Sequence, residues 1–265
     1  MPAAADAIAE RIRDVNTRYH DLAADSYDSK WGIDFADTGR AQVTAKLKKA
    51  LGAEPATFRH ALEIGAGTGY FSLNLLSAGT IERVTATDIA PGMLRALEAN
   101  AAELGVEVET VVTDAERLPF ADGAFDLVTS RHPVMAHWRE IARVLAPGGT
   151  YFSQHIGPDS GHEVYEWFLG PKPTGKSFRE PALARQEAEK NGLEVVSLRE
   201  AELKMEFFDV GAMVYFLRKV IWFVPDFTVE KYRDDLLRMH EHMEREGSFV
   251  AYSRRFLIEA RKPGA

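Results

Sequence analysis

The 265-residue sequence contains no cysteine. That absence excludes disulfide scaffolds, cysteine nucleophiles, thiolate zinc sites and cysteine-ligated iron–sulfur clusters. Long apolar runs are also missing. The densest stretch, Met213 to Val224, is broken by Arg218 and Lys219, well short of the roughly 20 residues that a membrane span needs. The N-terminal stretch Met1 to Asn16 is rich in alanine but carries Asp6, Glu10, Arg11, Arg13 and Asp14. It lacks the apolar centre of a signal peptide, so a cytoplasmic protein without a membrane partner is expected. There is no internal repeat and no Ser/Gly linker. A basic excess is absent too: 32 Lys+Arg stand against 40 Asp+Glu, for a net charge of −8. Nucleic-acid binding leans on Lys and Arg neutralising phosphates, so a nucleic-acid partner is not expected. The hydrophobic content of 46% excludes a disordered chain.

What is present is an alternation of short apolar runs and helical patterns. The runs 60–64, 83–88, 107–112, 125–130 and 150–155 read as strands, and 69–78, 91–103 and 137–145 between them as helices. Pro147-Gly148-Gly149 terminates the last helix. Alternating strands and helices with short loops predict an α/β fold with a doubly wound, mostly parallel sheet. Residues 4–20 and 37–51 read as N-terminal helices, joined by a segment holding Tyr19, Tyr27 and Trp31. Beyond residue 156, helices are predicted over 162–169 and 180–191, and strands over 193–208 and 249–261. Between those two strands lies an aromatic-rich helical insertion, 209–247, longer than a connector needs to be.

The first strand runs into Glu63-Ile64-Gly65-Ala66-Gly67-Thr68-Gly69-Tyr70. A glycine-rich turn between strand and helix lets the backbone approach a ligand closely. The dinucleotide fingerprint G-x-G-x-x-G fails at Tyr70, and no lysine follows as a phosphate-binding loop requires. An acidic residue at the head of the turn suits a cationic ligand group. Asp88 lies 21 residues after Gly67, at the end of the next strand, where a carboxylate can accept both hydroxyls of a ribose. It could also cap the helix starting at Pro91-Gly92. The third strand ends in Thr113-Asp114-Ala115-Glu116. Leu118-Pro119-Phe120-Ala121-Asp122-Gly123-Ala124-Phe125-Asp126-Leu127-Val128 leads into the fourth, and Arg143-Val144-Leu145-Ala146-Pro147-Gly148-Gly149 precedes the fifth.

With these motifs in order at strand ends, the chain from about residue 27 to 156 resembles the class I S-adenosylmethionine-dependent methyltransferases (type 11/25-like). The resemblance implies a Rossmann-like sheet of seven strands with an antiparallel last strand. It also implies a single domain, with a helical N-terminal cap over 1–52, a cofactor-binding core over 53–156 and a substrate-side half over 157–265. Gly65, Ala66, Gly67 and Gly69 would pass under the methionine part of the cofactor, and Glu63 would face its ammonium. Asp88 would hold the ribose, and Ile89 and Met93 would line an adenine face. Asp114 would accept from the adenine amino group, beside Ala115 and Glu116. Ser130 and Arg131 would sit next to the transferable methyl, with Tyr27 contacting cofactor or acceptor from the lid.

Any base that the acceptor needs is sought among His132, His137 and His155, of which His132 and His155 close strands four and five. An imidazole titrating near neutrality suits that work. His240 and His242 sit at i, i+2, which are not on one helix face, so they are expected on a solvated face, and no metal site is expected. Tyr215, Phe216, Trp222, Phe223 and Phe227, with Trp167 and Phe168, either roof an apolar acceptor or anchor the insertion.

The expected activity is methyl transfer by in-line displacement to O or N of a small, partly apolar acceptor. The expected partners are that small molecule and at most a second copy of the chain. Two alternatives stand. One is an RNA methyltransferase: the Gly157-Pro158 turn and the helical insertion are similar to those of bacterial 23S rRNA guanine-N1 enzymes. Those carry a cysteine-rich zinc module, absent here. Ser130-Arg131-His132-Pro133 also stands where amino-group methyltransferases of flipped bases have an Asn-Pro-Pro-Tyr-type tetrapeptide. The other is a non-catalytic cofactor-binding module.

Overall fold

The structure is a computed structural model and describes residues 14, 17–26, 28, 58–171 and 177–264. Of the expected N-terminal helices only residues 14 and 17–20 are described. They are helical, and the helix continues through residue 23 into a 3-10 turn, Ala24–Ser26. Tyr27, Trp31 and the helix predicted over 37–51 lie outside the described residues.

The first half alternates as predicted: β1 (Ala61–Ile64), α1 (Tyr70–Ser77), β2 (Val84–Asp88), α2 (Pro91–Leu104), β3 (Glu109–Val112), β4 (Phe125–Arg131), α3 (Trp138–Val144) and β5 (Leu145–Ile156). Then follow α4 (His162–Leu169), α5 (Pro181–Lys190), β6 (Glu194–Phe207), α6 (Val210–Lys219), α7 (Arg233–Glu246) and β7 (Phe249–Arg261). The seven strands form one sheet in the order β3-β2-β1-β4-β5-β7-β6. Strands β3 to β5 pair in parallel. β7 runs against β5. Gly148 donates to Lys262 O, whereas Gly157, nine residues later, donates to Arg254 O, eight residues earlier.

The largest boundary difference from the sequence reading is at β5. β5 begins at Leu145, not at residue 150. Leu145 already pairs with Phe125, and the register slips before Leu127 meets Thr150. Pro147-Gly148-Gly149 is thus the irregular opening of a strand as well as the end of a helix. A Cβ on Gly149 would meet Ala146 O at 2.8 Å. The helical insertion expected over 209–247 holds two helices, α6 and α7.

By internal contacts the chain divides into two compact units, residues 1–155, 184–198 and 257–265, and residues 156–183 and 199–256. In the first, β1 and β2 are buried along nearly their whole length, as strands covered on both faces must be. Phe71 and Leu75 of α1 pack on Leu127 and Phe152, and Leu94, Leu97 and Ala101 of α2 pack on Ala86. Arg143 of α3 clamps the loop before β4. Its guanidinium donates to Phe120 O (2.6 Å), Leu118 O (2.9 Å), Asp122 (2.9 Å) and Glu140 (2.8 Å). Glu140 in turn accepts from Leu118 N at 2.9 Å.

The second unit has its own core. Leu236, Met239 and Met243, spaced along one face of α7, meet Val164, Phe168, Met213, Leu217, Phe249 and Ala251. Of the insertion's aromatics, Phe216, Phe223 and Phe227 pack against this core, whereas Tyr215 and Trp222 stay more than half exposed. His240 is exposed, as expected. His242 is not on a solvated face. Its ring packs on Trp167 at 5.4 Å and on Phe249 at 5.9 Å.

Candidate active site

The site is assembled at the carboxyl ends of β1, β2, β3 and β4, all within the first unit. Ligands bind open parallel sheets there because the strand ends and the following turns leave a crevice. Gly65, Gly67 and Gly69 all have left-handed backbone, with φ of 69°, 56° and 88°. They differ in purpose. A Cβ on Gly67 would meet nothing within 4 Å, so its bare backbone fronts open space. A Cβ on Gly69 would lie 2.7 Å from Leu73 Cδ1 and 2.9 Å from Leu97 Cγ. Gly69 is therefore needed for close packing of α1 and α2, and Gly67 for approach by something outside the chain.

Asp88 holds the turn from the neighbouring strand. Its Oδ2 accepts from Gly67 N and its Oδ1 from Ala90 N, each at 2.9 Å. The helix-cap reading of Asp88 is corrected here: Ala90 is the residue preceding α2, and it has no side-chain cap. The first-turn amide of Gly92 is instead taken by Asp21, 71 residues away in sequence, at 2.7 Å.

Glu63 is 2% exposed. It accepts from Ser72 N at 3.1 Å. Burial pushes its carboxyl up to about 7, against the opposing effects of the Ser72 hydrogen bonds and the Arg131 charge, while Asp88 adds to the rise. A buried acid balanced at neutrality is poised to ionise when a cation arrives.

Arg131, the last residue of β4, lies with its guanidinium carbon 5.0 Å from the centre of the Tyr70 ring. Its Nε is buried and has no hydrogen-bond partner. Tyr70, Ser130, Arg131 and Gln154 border a cavity of about 10 Å³, room for about one water.

Other predicted residues are placed as follows. Asp114 accepts from Glu116 N at 2.9 Å, and Glu116 is exposed. Ile89 is 38% exposed, whereas Met93 is fully buried against Ala24 and Ala90, so Ile89 presents the accessible apolar surface and Met93 supports α2 from beneath. His132 has φ of 54°, a left-handed conformation in which His is tolerated better than most residues. Its amide donates to Gln154 O at 2.7 Å. His137 precedes α3. His155 is 8% exposed. It lies flat against Trp138 and within 3.3 Å of the Tyr151 hydroxyl. Tyr27 lies outside the described residues.

Asp28, Tyr151 and Ser153 were not among the residues expected at the site, whereas Ser130 and His155 were. Asp28 accepts from Thr68 Oγ1 in the glycine turn and from Asn100 of α2, the latter at 2.7 Å. Its only sequence signal is adjacency to Tyr27. Ser130, Tyr151, Ser153 and His155 form a buried hydroxyl network. Ser130 Oγ is 2.8 Å from Ser153 Oγ and 3.1 Å from Tyr151 Oη. Tyr151, Ser153 and His155 sit at i, i+2, i+4 on β5, which places them on one face; that periodicity was a usable signal. Among the described residues, no group of His, Asp or Glu could hold a metal ion, and no helix is long and apolar enough to cross a membrane.

The geometry agrees with comparisons to known proteins. Residues 61–149 match the family described as "Methyltransferase domain". Malonyl-acyl-carrier-protein O-methyltransferase of Halorhodospira halophila is 35% identical over 114 residues, 40% of this chain and 38% of that protein. The chain thus spans well under half the length of that relative. A crystallised candidate methyltransferase of Bacillus halodurans superposes with a TM-score of 0.61 at 20% identity, covering 83% of this chain and 98% of the other. The Haemonchus contortus phosphoethanolamine N-methyltransferase 2, solved with S-adenosylhomocysteine, gives 0.56 at 19%, covering 94% and 58%. At these identities the structural likeness speaks for the fold alone.

Proposed function

Residues 61–149 match a methyltransferase domain family and the sheet has the strand order 3-2-1-4-5-7-6, and from this we propose that the protein is a class I methyltransferase that transfers a methyl group from S-adenosylmethionine to O or N of a small, partly apolar acceptor. The observation that carries this reading is the bare Gly67 backbone, tied to Asp88 and facing open space beside the buried Glu63. The O-methyltransferase relative supports oxygen as a target.

The residues fit this cofactor. A cradle without Cβ atoms suits the methionine chain, a carboxyl balanced near neutrality suits its ammonium, and Asp88 suits the ribose hydroxyls. Ile89, with Met93 behind it, suits an adenine face, and Asp114 with Ala115 and Glu116 the adenine edge. Gly65, Ala66 and Gly69 complete the turn, with Tyr27 assigned to the same set from the N-terminal cap. When bound, S-adenosylmethionine supplies a methyl on a sulfonium, which in-line attack removes as a neutral thioether departs.

The chain's task is then mainly alignment, worth up to roughly 7–11 kcal/mol in the best cases. Ser130 and Arg131 are assigned to the methyl end. His132 is assigned as the base for an acceptor that must lose a proton. His155 is assigned to the same step, through the Tyr151–Ser130 hydroxyls that lie between it and the end of β4. The test is conversion of S-adenosylmethionine to S-adenosylhomocysteine by purified protein with a metabolite extract. Conversion by the wild type and its loss in Asp88→Ala are expected. Equal conversion by both would refute the assignment.

A further inference from the structure

The Arg131 guanidinium acts on the buried Glu63 only through its charge. Arg131 closes β4, beside Ser130 and directly paired with Gln154 of β5. Its Nε is buried without a hydrogen-bond partner. Among the described residues no carboxylate forms an ion pair with it, and its guanidinium carbon lies over the Tyr70 ring, 5.0 Å from the centre. A guanidinium that contacts a ring by cation–π attraction spends none of its N–H donors on it. A buried, oriented donor without an acceptor is costly unless something supplies the acceptor. The planar fork matches a carboxylate better than any other small anion apart from phosphate. Tyr70, Ser130 and Gln154, which bound the cavity at its side, carry no charge, and the buried Glu63, which feels the Arg131 charge, is raised toward its neutral form.

We propose that Arg131 is a carboxylate-binding residue of the site, holding through its guanidinium edge the carboxylate of one of the two molecules that meet there. This rests on the methyl-transfer reading. One source is the amino-acid end of the cofactor. Glu63 and Arg131 would then take the ammonium and the carboxylate of one zwitterion. The other source is the acceptor, which would make the substrate class a carboxylic acid. In that case a carboxylate oxygen forms the bond to the methyl carbon as the carbon–sulfur bond breaks, the electron pair stays on sulfur, no proton moves and no base is required.

Calorimetry on the full chain separates these. The ligands are S-adenosylhomocysteine, its decarboxylated analogue, and succinate with the cofactor site filled by S-adenosylhomocysteine. Wild type is compared with Arg131→Gln and with Arg131→Lys, which keeps the charge and guards against a fold defect in the first variant. For the cofactor source, Arg131→Gln weakens S-adenosylhomocysteine by roughly 10–100-fold, the range of a charged hydrogen bond. The decarboxylated analogue is unaffected, and Arg131→Lys recovers part of the loss. For the acceptor source, the cofactor affinities stay unchanged and succinate, bound by wild type, is lost in Arg131→Gln. Equal weakening of S-adenosylhomocysteine and its decarboxylated analogue, or no change for any ligand, overturns the proposal. Should wild type bind neither adenosyl ligand, the methyl-transfer reading fails by itself. Succinate alone then decides Arg131: binding that depends on it keeps the carboxylate site, and no binding removes it.

Discussion

Asp88 Oδ2 accepts the backbone N–H of Gly67 at 2.9 Å, so the end of β2 fixes the turn that follows β1. One carboxylate thereby sets the shape of the glycine turn and stands ready for a polar ligand. Asp88→Ala is expected to weaken S-adenosylhomocysteine by at least roughly 10-fold, through lost acceptors and a loosened turn. Gly67→Ala makes a sharper probe. With φ of 56° and open space at the Cβ position, it should cost only about 1–2 kcal/mol of stability. Its methyl nevertheless enters the space assigned to ligand, so affinity should fall more than melting temperature does. Paired calorimetry and thermal melting check this.

Glu63 gives a pH dependence of defined sign. Its folded pKa is raised to about 7, so the free folded protein holds a proton that the unfolded chain releases near 4.5. That contribution to stability is present below the unfolded value and is lost as pH rises through about 7. Glu63→Gln should therefore stabilise the ligand-free protein by up to about 3 kcal/mol at pH 8 and by little at pH 4. The same substitution should weaken S-adenosylhomocysteine. Wild-type affinity should rise from pH 6 to 8, with proton release on binding, measured by calorimetry in buffers of different ionisation enthalpy.

Arg143 ties the loop before β4 to α3 through two backbone carbonyls and two carboxylates. Arg143→Ala strands those acceptors and should cost about 2–3 kcal/mol. Glu140, which Arg143 holds below the usual carboxylate range, contributes stability that is present above its unfolded value and is lost as pH falls through the depressed one. The acid sensitivity of wild type in this step should be smaller in the variant. Acid and thermal unfolding followed by circular dichroism measure both.

Gly92 has no room for a side chain: a Cβ would stand 2.6 Å from Asp21 Oδ1 and 2.9 Å from Asp21 O. Gly92→Ala should leave α2 intact, since alanine favours helix, and detach Asp21 from its amide. Hydrogen exchange should quicken over residues 17–26 and stay unchanged in α2. Uniform acceleration across both would contradict this account.

The alternation of β1 to β5 with α1 to α3 was legible because strands buried along most of their length, as β1, β2 and β4 are, leave largely uncharged runs between turn residues. The turn and Asp88 were legible for a related reason: each chemical role sits at a strand end and is spelled by local sequence. Contacts across distance were not. Asp21 meets Gly92 and Asp28 meets Thr68 and Asn100, pairings that no local pattern encodes. The start of β5 at Leu145 was hidden because Pro147-Gly148-Gly149 reads as a terminator, and only pairing with Phe125 makes it strand. His242 was misread because helical spacing alone does not reveal that Trp167 and Phe249 close around it.

The most direct measurement of the central claim uses methyl-labelled S-adenosylmethionine, purified protein and cell extract, with the products separated into organic-soluble metabolites, RNA and protein. The account predicts label in the metabolite fraction, dependent on Asp88. Label in RNA, or no transfer by a protein that binds S-adenosylhomocysteine, would contradict it.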